Sequence, residues 1–122
     1  MKKVVVVGGS GFIGSHVADH LSDAGFQVTI YDKTESQCLK VGQKIVIGDV
    51  EDGEKLNNVI SGADVVYNFA ALADLNEALE QPIKTANINI IGNNNPGIIA
   101  PANKSEIVTV SGVNIPAFNC AC

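Results

Sequence analysis

Lys3-Val4-Val5-Val6-Val7-Gly8-Gly9-Ser10-Gly11-Phe12-Ile13-Gly14 is the stretch that decides the fold of this 122-residue chain. Four consecutive valines are apolar and β-branched without alternation, which is the pattern of a strand buried on both faces inside a parallel sheet. Glycines 8, 11 and 14 follow at once as G-x-x-G-x-x-G and run into apolar residues spaced every four positions, Ile13, Val17 and Leu21, with Ala18 widening the stripe. That spacing predicts a helix from Ile13 to Ala24, and Gly25 stands where such a helix needs a left-handed residue to stop it. In a strand-turn-helix of this kind one glycine bends the chain, one lets the backbone approach a diphosphate, and one lets the helix pack closely on the strand. The helix start offers unpaired N–H groups and roughly half an elementary positive charge, so an anion can be held there without a cationic side chain.

Working outward, Phe26 to Tyr31 alternates as a second strand and ends on Asp32. An acid at this tip, roughly 20 residues past the glycines, accepts both hydroxyls of an adenosine ribose and repels a 2′-phosphate. The residues therefore point to NAD rather than NADP, with Gly8, Gly11, Phe12, Ile13, Gly14 and Asp32 as candidate cofactor-binding positions and Lys33 beside them. Two plainer readings compete with this one: a tight turn that holds no ligand, and an acid that is merely solvated at a strand end.

Lys44 to Ile47 reads as a third strand entering Gly48-Asp49-Val50, after which Asp52 can cap a short helix with Leu56, Val59 and Ile60 inward and Gly62 at its close. Val65 to Phe69 is a fourth strand. Pro82 suits the first turn of a further helix whose inner face would be Ile83, Ala86, Ile90 and Ile91. Asn93-Asn94-Asn95-Pro96-Gly97 then concentrates helix breakers, and only Glu106 to Val110 looks like another strand. The expected architecture is α/β, a Rossmann-type doubly wound parallel sheet of about five strands. Residues 1–95 form the NAD-binding region, and residues 96–122 form an atypical tail with the fifth strand at 106–110.

Composition excludes several other classes. Hydrophobic residues make up 46% and charged residues 17%, as in an ordinary α/β domain. The net charge is −5, all 8 basic residues are lysines, and no basic run occurs, which argues against a nucleic-acid partner. The apolar run at the start is far too short for a bilayer and lacks a signal-peptide pattern, so no membrane partner and a cytoplasmic location are the default expectations. Cys38, Cys120 and Cys122 are an odd number and are expected to be free thiols. His16 and His20 lie four apart on the first helix without a third ligand in sight, so rim positions are expected rather than a metal site.

The stretch Gly8-Gly9-Ser10-Gly11-Phe12-Ile13-Gly14-Ser15-His16 resembles the opening of the extended short-chain dehydrogenase/reductase family, in particular its NAD-dependent epimerase/dehydratase group of nucleotide-sugar enzymes. Gly48-Asp49-Val50 is similar to that group's acidic turn, where the resemblance implies an Asp49 carboxylate on the adenine amino group and the Val50 N–H on the ring. Asn68-Phe69-Ala70-Ala71 resembles its fourth-strand end, so Phe69, Ala70 and Ala71 would run along the cofactor. Asn89-Ile90-Ile91-Gly92 resembles a helix motif whose asparagine supports the active site, although Asn93 replaces the usual threonine.

Past Asn95 the chain departs from the family. Ile107-Val108-Thr109-Val110-Ser111-Gly112 is similar to the fifth strand and its Ser/Thr-rich end, yet Gly112 falls where the catalytic hydroxyl aligns, leaving Ser111 as the candidate catalytic residue. Tyr31 and Tyr67 both fall in predicted strands and neither is followed four residues on by lysine, so the family's Y-x-x-x-K base is not found in these residues. A natural truncation fits this departure. So does a frame shift near Asn95, since codons for Asn-Pro-Gly read one nucleotide later can encode the family-like Ile-Leu-Glu. The resemblance implies the NAD-binding N-terminal portion of a nucleotide-sugar epimerase or dehydratase, not competent alone. A non-catalytic NAD-sensing or interaction module and a nonfunctional truncated fragment are the alternatives, with the oligomeric state open.

Overall fold

A computed structural model describes residues 2–36, 39–69, 79–86 and 106–109. In chain order the elements are β1 (Lys3–Val7), α1 (Phe12–Asp23), β2 (Gln27–Asp32), β3 (Lys44–Ile47), α2 (Gly53–Ile60), β4 (Val65–Asn68), α3 (Pro82–Ala86) and β5 (Glu106–Thr109). The strands form one sheet in the order β3-β2-β1-β4-β5, every neighbouring pair parallel. A single row across it runs Val46, Tyr31, Val7, Asn68, Thr109. The C-terminal strand ends therefore line up along one edge.

The valine run is explained by burial on two sides. Val4 and Val6 join Ala18, Val28 and Ile30 under α1, whereas Val5 and Val7 join Tyr31, Leu56, Ile60, Ala63 and Val66 under α2. All four valines are at most 3% exposed. Burying such a side chain contributes about 1.5–3 kcal/mol, so β1 is the strongest apolar anchor of both layers.

Helix α1 stops as its sequence predicts. Gly25 takes φ +91, its N–H donates to the Ser22 carbonyl, and the Phe26 N–H donates to the Leu21 carbonyl. These two bonds satisfy carbonyls that the helix end would otherwise leave open. The contact face of α1 differs from the expected stripe: Gly14, Ser15 and Ala18 are buried, while Ile13, Val17 and Leu21 are only partly so. Small residues occupy the line of closest approach because a helix entering directly from a tight turn lies close to its strand, and the larger aliphatic side chains flank that line.

Helix α2 begins with the Asp52 carboxylate accepting the Lys55 N–H at 3.1 Å, and Leu56 and Ile60 are wholly buried with Val59 packed beside them. In α3, Ile83 is 77% exposed, against the expectation that it faces inward. A helix of five residues carries too few positions for apolar spacing to determine its inner face. Ala86's side chain, Ile90 and Ile91 lie outside the described residues, as do the cysteines and the expected tail apart from β5. No helix among the described residues is long and apolar enough to cross a membrane.

Candidate functional site

The edge where β1 to β4 end is also where the connections change direction: β1 has β2 on one side and β4 on the other. In open parallel sheets this is the place where a crevice forms and ligands bind. Four loops meet there, following Val7, Asp32, Ile47 and Asn68.

In the first loop the three glycines of the motif meet different backbone demands. Gly8 takes φ +79, which a side chain would oppose, and its N–H donates to the Tyr31 carbonyl at 2.8 Å. At Gly14 a Cβ would be driven into the Gly8 carbonyl oxygen and would come within 2.9 Å of the Gly9 Cα, so close packing of α1 on the turn demands glycine. Gly11 is different. Its backbone is ordinary (φ −76, ψ 177), and a Cβ there would meet only the Gly8 carbonyl oxygen at 3.4 Å, a normal contact. Nothing within the described protein requires a glycine at 11, and it sits at the mouth of α1. That helix has no side-chain cap and no acidic residue in its first turn. Its terminal N–H groups and partial positive charge are thus presented at a point where the backbone can be approached closely.

The second loop holds Asp32 in a fixed orientation. Its Oδ2 accepts the Ser10 N–H at 3.0 Å and its Oδ1 accepts the Thr34 N–H at 3.2 Å. The Ser10 hydroxyl donates to the Thr34 carbonyl at 2.8 Å, which ties the glycine turn to the loop after β2. Each carboxylate oxygen has a further lone pair, so a half-buried, oriented acid can still accept two hydroxyls.

In the third loop the Gly48 N–H donates to the Asp32 carbonyl at 2.9 Å and the Tyr31 hydroxyl donates to the Asp49 carbonyl at 2.6 Å. The exposed Asp49 carboxylate accepts the Glu51 N–H through Oδ1 at 2.9 Å. Tyr31 is completely buried, and its phenol is pushed up to about 12 by burial and then by the nearby negative charges of Asp52 and Asp49. It remains a hydrogen-bond donor at any physiological pH. In the fourth loop the Phe69 N–H continues the ladder to the Val7 carbonyl at 2.8 Å, and its ring stacks on Tyr67 with centroids 6.3 Å apart.

Of the positions expected from sequence, Gly8, Gly11, Phe12, Ile13, Gly14, Lys33, Asp49, Val50 and Phe69 fall on these loops or the first turn of α1, and Asp32 ends β2. Ala70, Ala71, Asn89 and Ser111 lie outside the described residues. Ser10 and Gly48 lie within the expected motifs and Tyr31 within an expected strand, but none of the three had a role assigned from sequence. Their signal was weak: a serine between glycines, one phenol at the end of an alternating strand, and a glycine just past β3. His16 and His20 are exposed, His16 lying edge-on to Phe12 at 5.0 Å, and no group of three or more metal-ligating side chains occurs among the described residues.

Comparison with known proteins fits this geometry. Residues 4–106 match the model of the NAD dependent epimerase/dehydratase family. A UDP-glucose 4-epimerase of Neisseria meningitidis serogroup B is 35% identical over 104 residues, covering 75% of this chain and 31% of the relative. The structure of UDP-glucose 4-epimerase from Brucella ovis in complex with NAD superposes with a TM-score of 0.79 at 30% identity, covering 89% of this chain and 35% of that one. That of UDP-glucose 4-epimerase from Thermotoga maritima with UDP-glucose gives 0.82 at 27% identity, covering 95% and 41%. The chain thus spans about a third of the length of the relatives it matches.

Proposed function

The chain belongs to the NAD dependent epimerase/dehydratase family, and from that premise we propose that these residues bind NAD across the ends of β1 to β4, as the cofactor portion of a nucleotide-sugar epimerase or dehydratase. The observation that carries the reading is Gly11, a glycine with no internal reason to be one, at the uncapped mouth of α1 and next to the locked Asp32. The diphosphate would lie against the N–H groups at the start of α1, and the adenosine ribose would donate its hydroxyls to Asp32. Adenine would meet Asp49 and Val50, and the chain would pass along Phe69. Ala70, Ala71 and Asn89 are assigned to the same site from the family's pattern.

When bound, NAD would supply reversible hydride acceptance from a sugar hydroxyl. The residues in hand contain only two tyrosines, neither with a lysine four positions on, and Ser111 is the one candidate for a catalytic hydroxyl. We therefore assign cofactor binding, not turnover, to these residues alone. Titration calorimetry with NAD and NADP tests the assignment: NAD should bind at least about tenfold more tightly, because Asp32 accepts the ribose 2′-hydroxyl and repels a 2′-phosphate. Equal affinities would refute the role of Asp32, and absence of heat with either would refute the site.

A further inference from the structure

The consecutive residues Tyr31 and Asp32 link the loops around the site in a way the cofactor motif does not describe. Their two carbonyls accept the Gly8 and Gly48 N–H groups, and the Asp32 carboxylate accepts the Ser10 N–H. The carbonyl bonds are backbone ladder bonds that any residue would supply. The Tyr31 phenol is not: it crosses beneath the third loop and donates to the Asp49 carbonyl, which also accepts the Asp52 N–H at 3.1 Å. Gly48 makes room for this, since a Cβ there would collide with the Tyr31 hydroxyl and come within 2.7 Å of the ring carbon that bears it. Tyr31 and Gly48 thus form a matched pair, a large buried ring under a residue with no side chain.

We propose that Tyr31 is a positioning residue for adenine recognition, its buried hydroxyl holding the Asp49 carbonyl so that the Asp49 carboxylate and the Val50 N–H present one fixed edge to the base. The proposal rests on the assignment of Asp49 and Val50 to adenine made above. The loop between β3 and α2 is bonded mainly within itself: the Asp52 N–H donates to the Asp49 carbonyl, the Gly53 N–H to the Glu51 carbonyl, and the Glu51 N–H to the exposed Asp49 carboxylate, while Val50 packs against the core. The phenol adds to the packing of Val50 a directed hydrogen bond from the core around Val5, Val7, Leu56 and Ile60 to the Asp49 carbonyl. A rigid acceptor beside a rigid donor distinguishes a base with an exocyclic amine from one with a carbonyl at the same position, whereas a mobile pair does so poorly.

The test measures affinity of the 122-residue chain for NAD and for nicotinamide hypoxanthine dinucleotide, in which a carbonyl replaces the adenine amine. The wild-type protein should prefer NAD by about tenfold or more, the scale of a hydrogen bond to a charged group. Tyr31→Phe keeps the ring in the core and should lower NAD affinity roughly fivefold while bringing the preference close to parity. Gly48→Ala, with Tyr31 retained but displaced, should reduce the same preference, and it serves if Tyr31→Phe does not fold. A general loss of stability would weaken both dinucleotides alike and leave their ratio intact. An unchanged ratio in a folded variant overturns the role of Tyr31. Failure of the wild-type chain to bind NAD at all overturns the parent assignment, and the present one with it.

Discussion

Gly11 and Gly14 look equivalent in the motif, yet substitution should separate them. Gly14→Ala places a methyl against backbone that cannot swing away, and overpacking of this kind costs about 1–3 kcal/mol. Gly11→Ala meets an ordinary contact and should cost under about 1 kcal/mol, the loss expected for alanine at a helix N-cap. Its effect should appear instead in NAD affinity, so chemical denaturation and calorimetry run on both variants should give opposite rankings. Tyr31 makes a second prediction at this scale, in pH. Its phenol titrates near 10 when unfolded and at about 12 when folded. The group contributes its full stabilisation below pH 10 and loses it as pH rises towards 12, since only the unfolded chain releases the proton easily in that interval. Stability measured against pH should fall across this window, and that part of the fall should be missing in Tyr31→Phe. Gly8 and Gly14 were legible because each answers a backbone demand within a few residues. Tyr31 was not, because its partner lies 18 positions away.

The loop between β2 and β3 is held by an element-to-element staple. Gln43 is 8% exposed, and its amide nitrogen donates to Asp19 Oδ1 at 3.1 Å and to Ser22 Oγ at 2.8 Å, both on α1, while its amide oxygen accepts the Lys40 N–H at 3.0 Å. Truncating it removes the partner of two half-buried side chains, Asp19 and Ser22, and of the Lys40 N–H. Gln43→Ala should therefore destabilise the protein by about 1–3 kcal/mol. The nearby pair of Lys40 with Asp23 at 2.9 Å is largely exposed, so Lys40→Ala should change stability little in the same denaturation assay. None of this was visible as a periodic pattern, and the segment from Lys33 to Gln43 reads only as polar. By contrast β3 has the bounds its apolar run predicts, and α1, α2 and β4 differ from expectation by no more than their end residues. Their burial signals repeat over several residues and so average out local exceptions.

A ligand that spans four strand ends binds the folded chain and not the unfolded one. NAD at about a hundredfold excess over its dissociation constant should raise the stability of the whole molecule by about 2.7 kcal/mol, a shift of roughly 10 °C in melting temperature for a domain of this size. A melting curve indifferent to NAD would contradict binding across the sheet. The parallel sheet, the glycine turn and the acid at the tip of β2 were determined by the sequence alone, because strand burial, helix spacing and turn geometry are set by neighbours a few residues apart. Only the tertiary structure decided that small residues line the α1 contact, that Ser10 and Thr34 lock Asp32, and that a buried phenol reaches the third loop. Those contacts depend on strand register and side-chain direction across the sheet, which bring residues far apart in the chain to a common edge.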